Sequence, residues 1–162
     1  MSVSSAAVIP AAIDPARPAD TEWEIIATRV VNAPRDLVWK AWSDPDRLAR
    51  WWGPKGFTNT FYRCEMRSGG LWYFVMHSPG GLDFMNRSTF VEVVKPERIV
   101  IRNLSDPHFQ LTVTFTEHAG RTRIMWRMSF ASVEEYGKVK AFAPAANEQN
   151  LDRLEAQLEL MA

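Results

Sequence analysis

The chain has 162 residues, 46% hydrophobic and 12% aromatic, enough apolar material for one domain with a sizeable core. Its formal net charge is zero, so no long-range attraction to nucleic acid or to an anionic membrane is built in. A single cysteine, Cys64, excludes an internal disulfide and suits a reducing cytoplasm, and no apolar run is long enough to span a bilayer.

Residues 1–20 are rich in Ala, Pro and Ser. They lack basic residues at the start, and Pro10 and Asp14 interrupt the apolar stretch, so they read as a weakly structured, uncleaved extension. The domain proper is expected over 21–162. Trp23–Val31 is β-branched and predicts a first strand, with apolar residues at both parities. Ala33–Pro54 then carries four of the seven tryptophans. Pro34 suits a helix start, and Val38, Trp39 and Trp42 form an apolar helical face. Asp44-Pro45 opens a second short helix as N-cap and first residue, with Leu48, Trp51 and Trp52 on it, and Gly53-Pro54 ends it. An adjacent pair on a helix points in two directions, so one of Trp51 and Trp52 is expected in the core and the other partly exposed.

Strands follow. Phe57–Arg67 is a strand, ended by the turn Ser68-Gly69-Gly70. In Leu71–His77, Trp72, Phe74 and Met76 share one face, and Leu71, Tyr73, Val75 and His77 the other. Ser78-Pro79-Gly80-Gly81 turns into a long strand, Asp83–Val94, and Lys95-Pro96-Glu97 into Ile99–Leu104. After Ser105-Asp106-Pro107, Phe109–Thr116 alternates cleanly, with Phe109, Leu111, Val113 and Phe115 on one side. Thr122–Phe130 repeats this with Ile124, Trp126, Met128 and Phe130. The pattern describes a sheet with one buried and one wet face. Ser132-Val133-Glu134-Glu135 is a capping box. Pro144 interrupts the helical pattern, and Leu151, Leu154, Leu158 and Met161 then form one apolar stripe, with Asp152, Arg153, Glu155 and Glu159 outside it. An antiparallel meander covered by one long amphipathic helix is the expected α+β architecture. The short helix pair closes one end of the sheet.

Trp72, Phe74, Met76, Phe109, Leu111, Trp126 and Met128 are expected to face the interior. Composition leaves a ligand cavity and a filled core equally open. Alternation places Asn86, Ser88, Phe90 and Glu92 on one face. Facing inward, Asn86 and Glu92 are buried polar groups able to orient a ligand or move protons; facing outward, they are solvated. Outward is the usual place for Glu. His77, His108 and His118 lie near strand ends without Cys, His, Asp or Glu at metal-ligand spacing, and no metal site is expected. Cys64 reads as a buried, inert thiol. No nucleophile elbow or phosphate-cradling glycine loop is present, and no cofactor is implied.

The ordered set Ala33-Pro34, Val38-Trp39, Asp44-Pro45, Leu48, Trp51-Trp52-Gly53-Pro54, Arg67-x-Gly69-Gly70-x-Trp72, Pro79-x-Gly81, Pro96-Glu97-Arg98 and Leu151-Asp152-Arg153-Leu154 resembles the bacterial branch of the heat-shock-protein-90 ATPase activator (Aha-type) family. That branch lies in the START-like, or SRPBCC, superfamily of helix-grip proteins. The resemblance spans Trp23 to the end of the chain. It implies a bent antiparallel sheet of about seven strands wrapped around a long C-terminal helix, with an apolar cavity between them. The chain departs from the pattern at Lys95-Pro96, where Pro-Pro is usual. It departs again at Glu148-Gln149-Asn150, where a Gly-Trp pair is expected.

The resemblance shifts the reading toward a cavity lined by Trp72, Phe74, Met76, Asn86, Phe109, Leu111, Trp126 and Met128. The function expected is a soluble cytoplasmic binding protein, monomer or homodimer, for a small hydrophobic molecule, without nucleic-acid binding or membrane insertion. The alternatives are a cavity enzyme of cyclase or hydrolase type, with Asn86, Glu92 and His77 as its candidates, and a chaperone-associated regulator. Catalytic residues and metal ligands are not assigned.

Overall fold

The computed structural model describes residues 23–162, so the expected extension over 1–20 lies outside the described residues. The described chain runs β1 (Glu24–Val31), α1 (Arg35–Ser43), α2 (Pro45–Trp51), β2 (Thr58–Cys64), β3 (Leu71–His77), β4 (Asp83–Val94), β5 (Arg98–Asn103), β6 (Phe109–His118), β7 (Arg121–Ser129), α3 (Val133–Val139) and α4 (Ala143–Met161). The strands form one seven-stranded sheet in the order β1-β7-β6-β5-β4-β3-β2. Every neighbouring pair is antiparallel. This is the α+β helix-grip architecture expected from the sequence.

Local chemistry explains the boundaries. The Asp44 side chain accepts a hydrogen bond from the Asp46 N–H, and Pro45 occupies the first turn of α2. The Ser132 side chain accepts from the Glu135 N–H and starts α3. Pro144 sits in the first turn of α4 and begins that helix instead of breaking one, because a first-turn N–H has no intrahelical partner to lose. The 19 residues of α4 span about 28 Å.

Parity holds on the inner face. Trp72 and Phe74 of β3, Leu111, Val113 and Phe115 of β6, and Ile124 and Trp126 of β7 are all buried. Two bulges interrupt it, between Phe61 and Arg63 and between Phe90 and Glu92. Each inserts one residue and bends its strand. The second carries a correction: Phe90 is fully buried, but one extra residue turns Glu92 to the outer face, opposite Val100. The outer face is also not uniformly wet. Val100, Thr112 and Arg127 are neighbours across β5, β6 and β7, and all three are buried. Side chains so paired shade one another.

The indoles fill the end of the sheet closed by α1 and α2. Trp42 is fully buried and touches Trp51, Trp52, Phe115 and Trp126. Trp51 is buried and donates its indole N–H to the Ala41 carbonyl at 2.9 Å. Trp52 is half-buried and stacks on Trp126 at 5.5 Å.

Polar clamps hold α4 on both flanks. On one side, Arg29 of β1 donates to Glu148, Asp152 and Glu155 at 2.7, 2.7 and 2.6 Å. Burial alone would lower the Arg29 pKa; the bonds to three carboxylates outweigh it and raise it. On the other side, Arg153 donates to the carbonyls of Arg50, Trp52, Gly53 and Pro54 at 3.0–3.1 Å. It thereby bonds one carbonyl in the last turn of α2 and those of the three residues that follow the helix. Asp152, Arg153 and Glu155 are thus tied down and not simply solvated.

Two measurements test these packing statements. Arg29→Met removes the cation from three carboxylates, and the expected loss is about 1–3 kcal/mol. It is read as a lower urea midpoint at unchanged slope; an unchanged midpoint would contradict the clamp. Burial pushes the Cys64 thiol up to about 12. At pH 8 the thiolate is then about one part in ten thousand, against about a quarter for a free cysteine. Iodoacetamide should therefore modify the folded protein more than 100-fold more slowly than the urea-unfolded chain.

Candidate ligand cavity between the sheet and the last helix

The stripe along α4 changes character midway. Leu151, Leu154 and Leu158 are buried and fill the space beneath the C-terminal half. The N-terminal half offers the same face only Ala143, Ala146, Asn147 and Asn150. Small and amide side chains cannot reach the sheet, and a cavity of about 240 Å³ remains there. That is below the roughly 300–1,000 Å³ common for ligand pockets.

Trp72, Phe74 and Met76 of β3 line this cavity from one side, and Phe109 and Leu111 of β6 with Trp126 and Met128 of β7 from another. Asn86 of β4 also lines it, so all eight residues singled out in the sequence stand around one space. Sequence reasoning missed much of the rest. Trp52, Gly53 and Pro54, read as part of a structural plug, form one end of the lining. Ser88 and Asn103 add polar groups, and Pro107, Val139 and Phe142 form the other end. Phe142 is 58% exposed and marks the rim. The available signal was the run Ala143-Pro144-Ala145-Ala146-Asn147, helical in spacing yet without a large apolar side chain.

Among the described residues, no side chain lining the cavity is ionisable. Its polar groups are largely committed within the protein. Ser88 donates to Asn103 Oδ1 at 3.1 Å, and the Asn103 amide donates to the Ser105 and Pro107 carbonyls. The Asn86 amide donates to the Phe84 carbonyl at 3.1 Å. Asn150 Oδ1 accepts from the Gly53 N–H at 3.1 Å. Gly53 has φ +102, and a Cβ there would come within 2.8 Å of Met76 Cε, so glycine is required at this junction.

The three ionisable or amide candidates do not converge. Only Asn86 reaches the cavity. Glu92 pairs with Arg98 at 2.8 Å on the outer face; that hydrogen bond holds its carboxyl below the usual range, against the opposing effect of burial. His77 also lies on the outer face, between Thr60 at 2.7 Å and Asp83 at 2.7 Å. Its parity opposes that of Trp72, Phe74 and Met76. His108 does gain neighbours that its sequence surroundings do not predict. Its ring, Asp106 and Glu135 present ligand atoms within 4.8 Å of one another. Lys138 already bridges the two carboxylates at 2.7 Å each. Because Glu135 is 27 residues from His108, no local spacing reveals the group. It ties α3 to the β5–β6 loop beside Pro107.

No helix among the described residues is long and apolar enough to cross a membrane. The model of the family described as Activator of Hsp90 ATPase homolog 1-like protein matches residues 32–159. No curated protein matches. Among solved structures, a Nitrosomonas europaea protein superposes with a TM-score of 0.81 at 21% identity, over 90% of this chain and 100% of that one. An Arthrobacter aurescens protein gives 0.79 at 23%, over 85% and 86%. An AHSA1-like protein from Aeromonas hydrophila gives 0.69 at 23%, over 85% and 93%. At these identities the structures share the fold, and the family match covers most of the chain: this protein belongs to the Activator of Hsp90 ATPase homolog 1-like family, in the helix-grip architecture of the START-like superfamily.

Proposed function

We propose that the chain is a soluble cytoplasmic binding protein for a small hydrophobic molecule held between the sheet and α4. The observation that carries this reading is a cavity walled by aromatic, Met and aliphatic side chains with a few amides and, among the described residues, no ionisable group. Such a wall suits apolar burial with orientation by hydrogen bonds. It does not suit acid–base catalysis, which needs a titratable group within hydrogen-bond reach of the reacting atom. The cyclase or hydrolase alternative therefore lacks its residues among those lining the cavity. The size of the space favours a compact molecule over a long acyl chain. The regulator alternative rests on the family name.

A ligand that binds only the folded state stabilises it by about 2.7 kcal/mol at one hundred times its dissociation constant. Native mass spectrometry of the purified protein, followed by a thermal-shift screen of compact apolar compounds, should give a retained molecule or a melting shift of several degrees. Ala146→Phe places a ring in the cavity from α4. It should abolish that shift while leaving the unliganded melting temperature equal or higher. A screen without any shift, or a shift that survives Ala146→Phe, would remove the reading.

A further inference from the structure

The cavity holds more information than its apolarity. Two residues of α4, Asn147 and Asn150, are 8% and 5% exposed and stand three positions apart on the helix face that lines it. Asn150 is oriented by the Gly53 N–H, which bonds to its Oδ1, so its NH₂ is left without a protein partner among the described residues. Asn147 directs its NH₂ to the Met128 sulfur at 3.3 Å, which leaves its carbonyl oxygen uncommitted. One helix wall therefore presents an amide donor and an amide acceptor side by side. Across the cavity, Trp72 and Trp126 are 1% and 2% exposed, and the indole N–H of each has no hydrogen-bond partner among the described residues. These two N–H atoms are enclosed by protein and out of reach from the cavity, so the uncommitted amide atoms on the wall are those of Asn147 and Asn150.

We propose that the ligand is uncharged and flat, with a polar end that both accepts and donates hydrogen bonds: a carboxamide, a lactam or a hydroxy-ketone on an aromatic or fused-ring body. This rests on the cavity reading above and specifies what the cavity takes. The body lies against the wall formed by the rings of Trp52, Trp72, Phe74 and Trp126. The polar end meets Asn147 and Asn150. A carboxylate of the same shape is disfavoured, because no lining cation balances it and desolvating an unpaired charge is expensive. Two positions at the start of α4 supply no free donor to such a group. Pro144 has no N–H, and the Ala146 N–H is already bonded to the Phe142 carbonyl at 3.0 Å.

Three probes of nearly one shape separate these requirements: 2-naphthamide, 2-naphthoate and 2-isopropenylnaphthalene, titrated calorimetrically at pH 8 into the full chain. The amide should bind at least tenfold tighter than either of the others. In Asn147→Leu, its advantage over the hydrocarbon should fall below about threefold, with hydrocarbon affinity equal or improved. Asn147→Ala serves the same purpose if the leucine variant does not fold, as judged by its melting transition. Naphthoate binding as tightly as the amide overturns the uncharged ligand. Equal binding of amide and hydrocarbon in the unmodified protein overturns the polar end, while both of these results keep the cavity reading. Binding of none of the three overturns the cavity reading itself.

Discussion

The structure depends on how α4 is held. A single apolar stripe, Leu151, Leu154 and Leu158, fixes which face looks at the sheet but leaves the helix free to slide or tilt. The arginines remove that freedom. Arg29 gathers three carboxylates on one flank, and Arg153 reaches four backbone carbonyls on the other. A guanidinium suits both tasks, because its planar array of donors can serve several acceptors at once. With the helix fixed at its flanks, the space under its N-terminal half need not be filled for the fold to stand.

That separation explains the position of the cavity. Frame contacts run along the flanks of α4 and through the indole cluster around Trp42. The lining comes from residues whose side chains are too short to close the gap, or are aromatic walls buttressed from behind. Trp72 illustrates the second case: it stacks on Phe74 at 4.4 Å and on Phe90 at 5.5 Å, so its position is set by neighbours within the sheet. A preformed cavity of this kind spends little conformational entropy on closing around a ligand.

The fold was legible because each of its devices is local. Alternation in Phe109–Phe115 and Ile124–Phe130, turn glycines, the Ser132 capping box and the Asp44-Pro45 start are short-range patterns with direct physical causes. The inner face of β3 follows from the same alternation. Glu92 could not be placed because a bulge is a one-residue event, and nothing in Phe90-Val91-Glu92 announces it. The role of Trp52 was hidden for another reason. In an indole-rich helix pair, packing alone accounts for every ring, and only the tertiary arrangement reveals which ring also borders empty space. The clamps were invisible because Arg29 and its carboxylates are more than a hundred residues apart.

Glu148-Gln149-Asn150 stands where related sequences are expected to carry Gly-Trp, and each of its residues holds a different part of the molecule. Glu148 reaches Arg29 at 2.7 Å, the Gln149 side chain accepts from the Lys55 N–H at 3.2 Å, and Asn150 accepts from the Gly53 N–H. Asn150 also belongs to the cavity wall. Most lining positions are thus open to evolutionary retuning, since exchanging one ring or methyl for another changes what is enclosed and spares the enclosure. At Asn150 the two are inseparable: a change of that side chain alters the lining and the connection between α2 and β2 together.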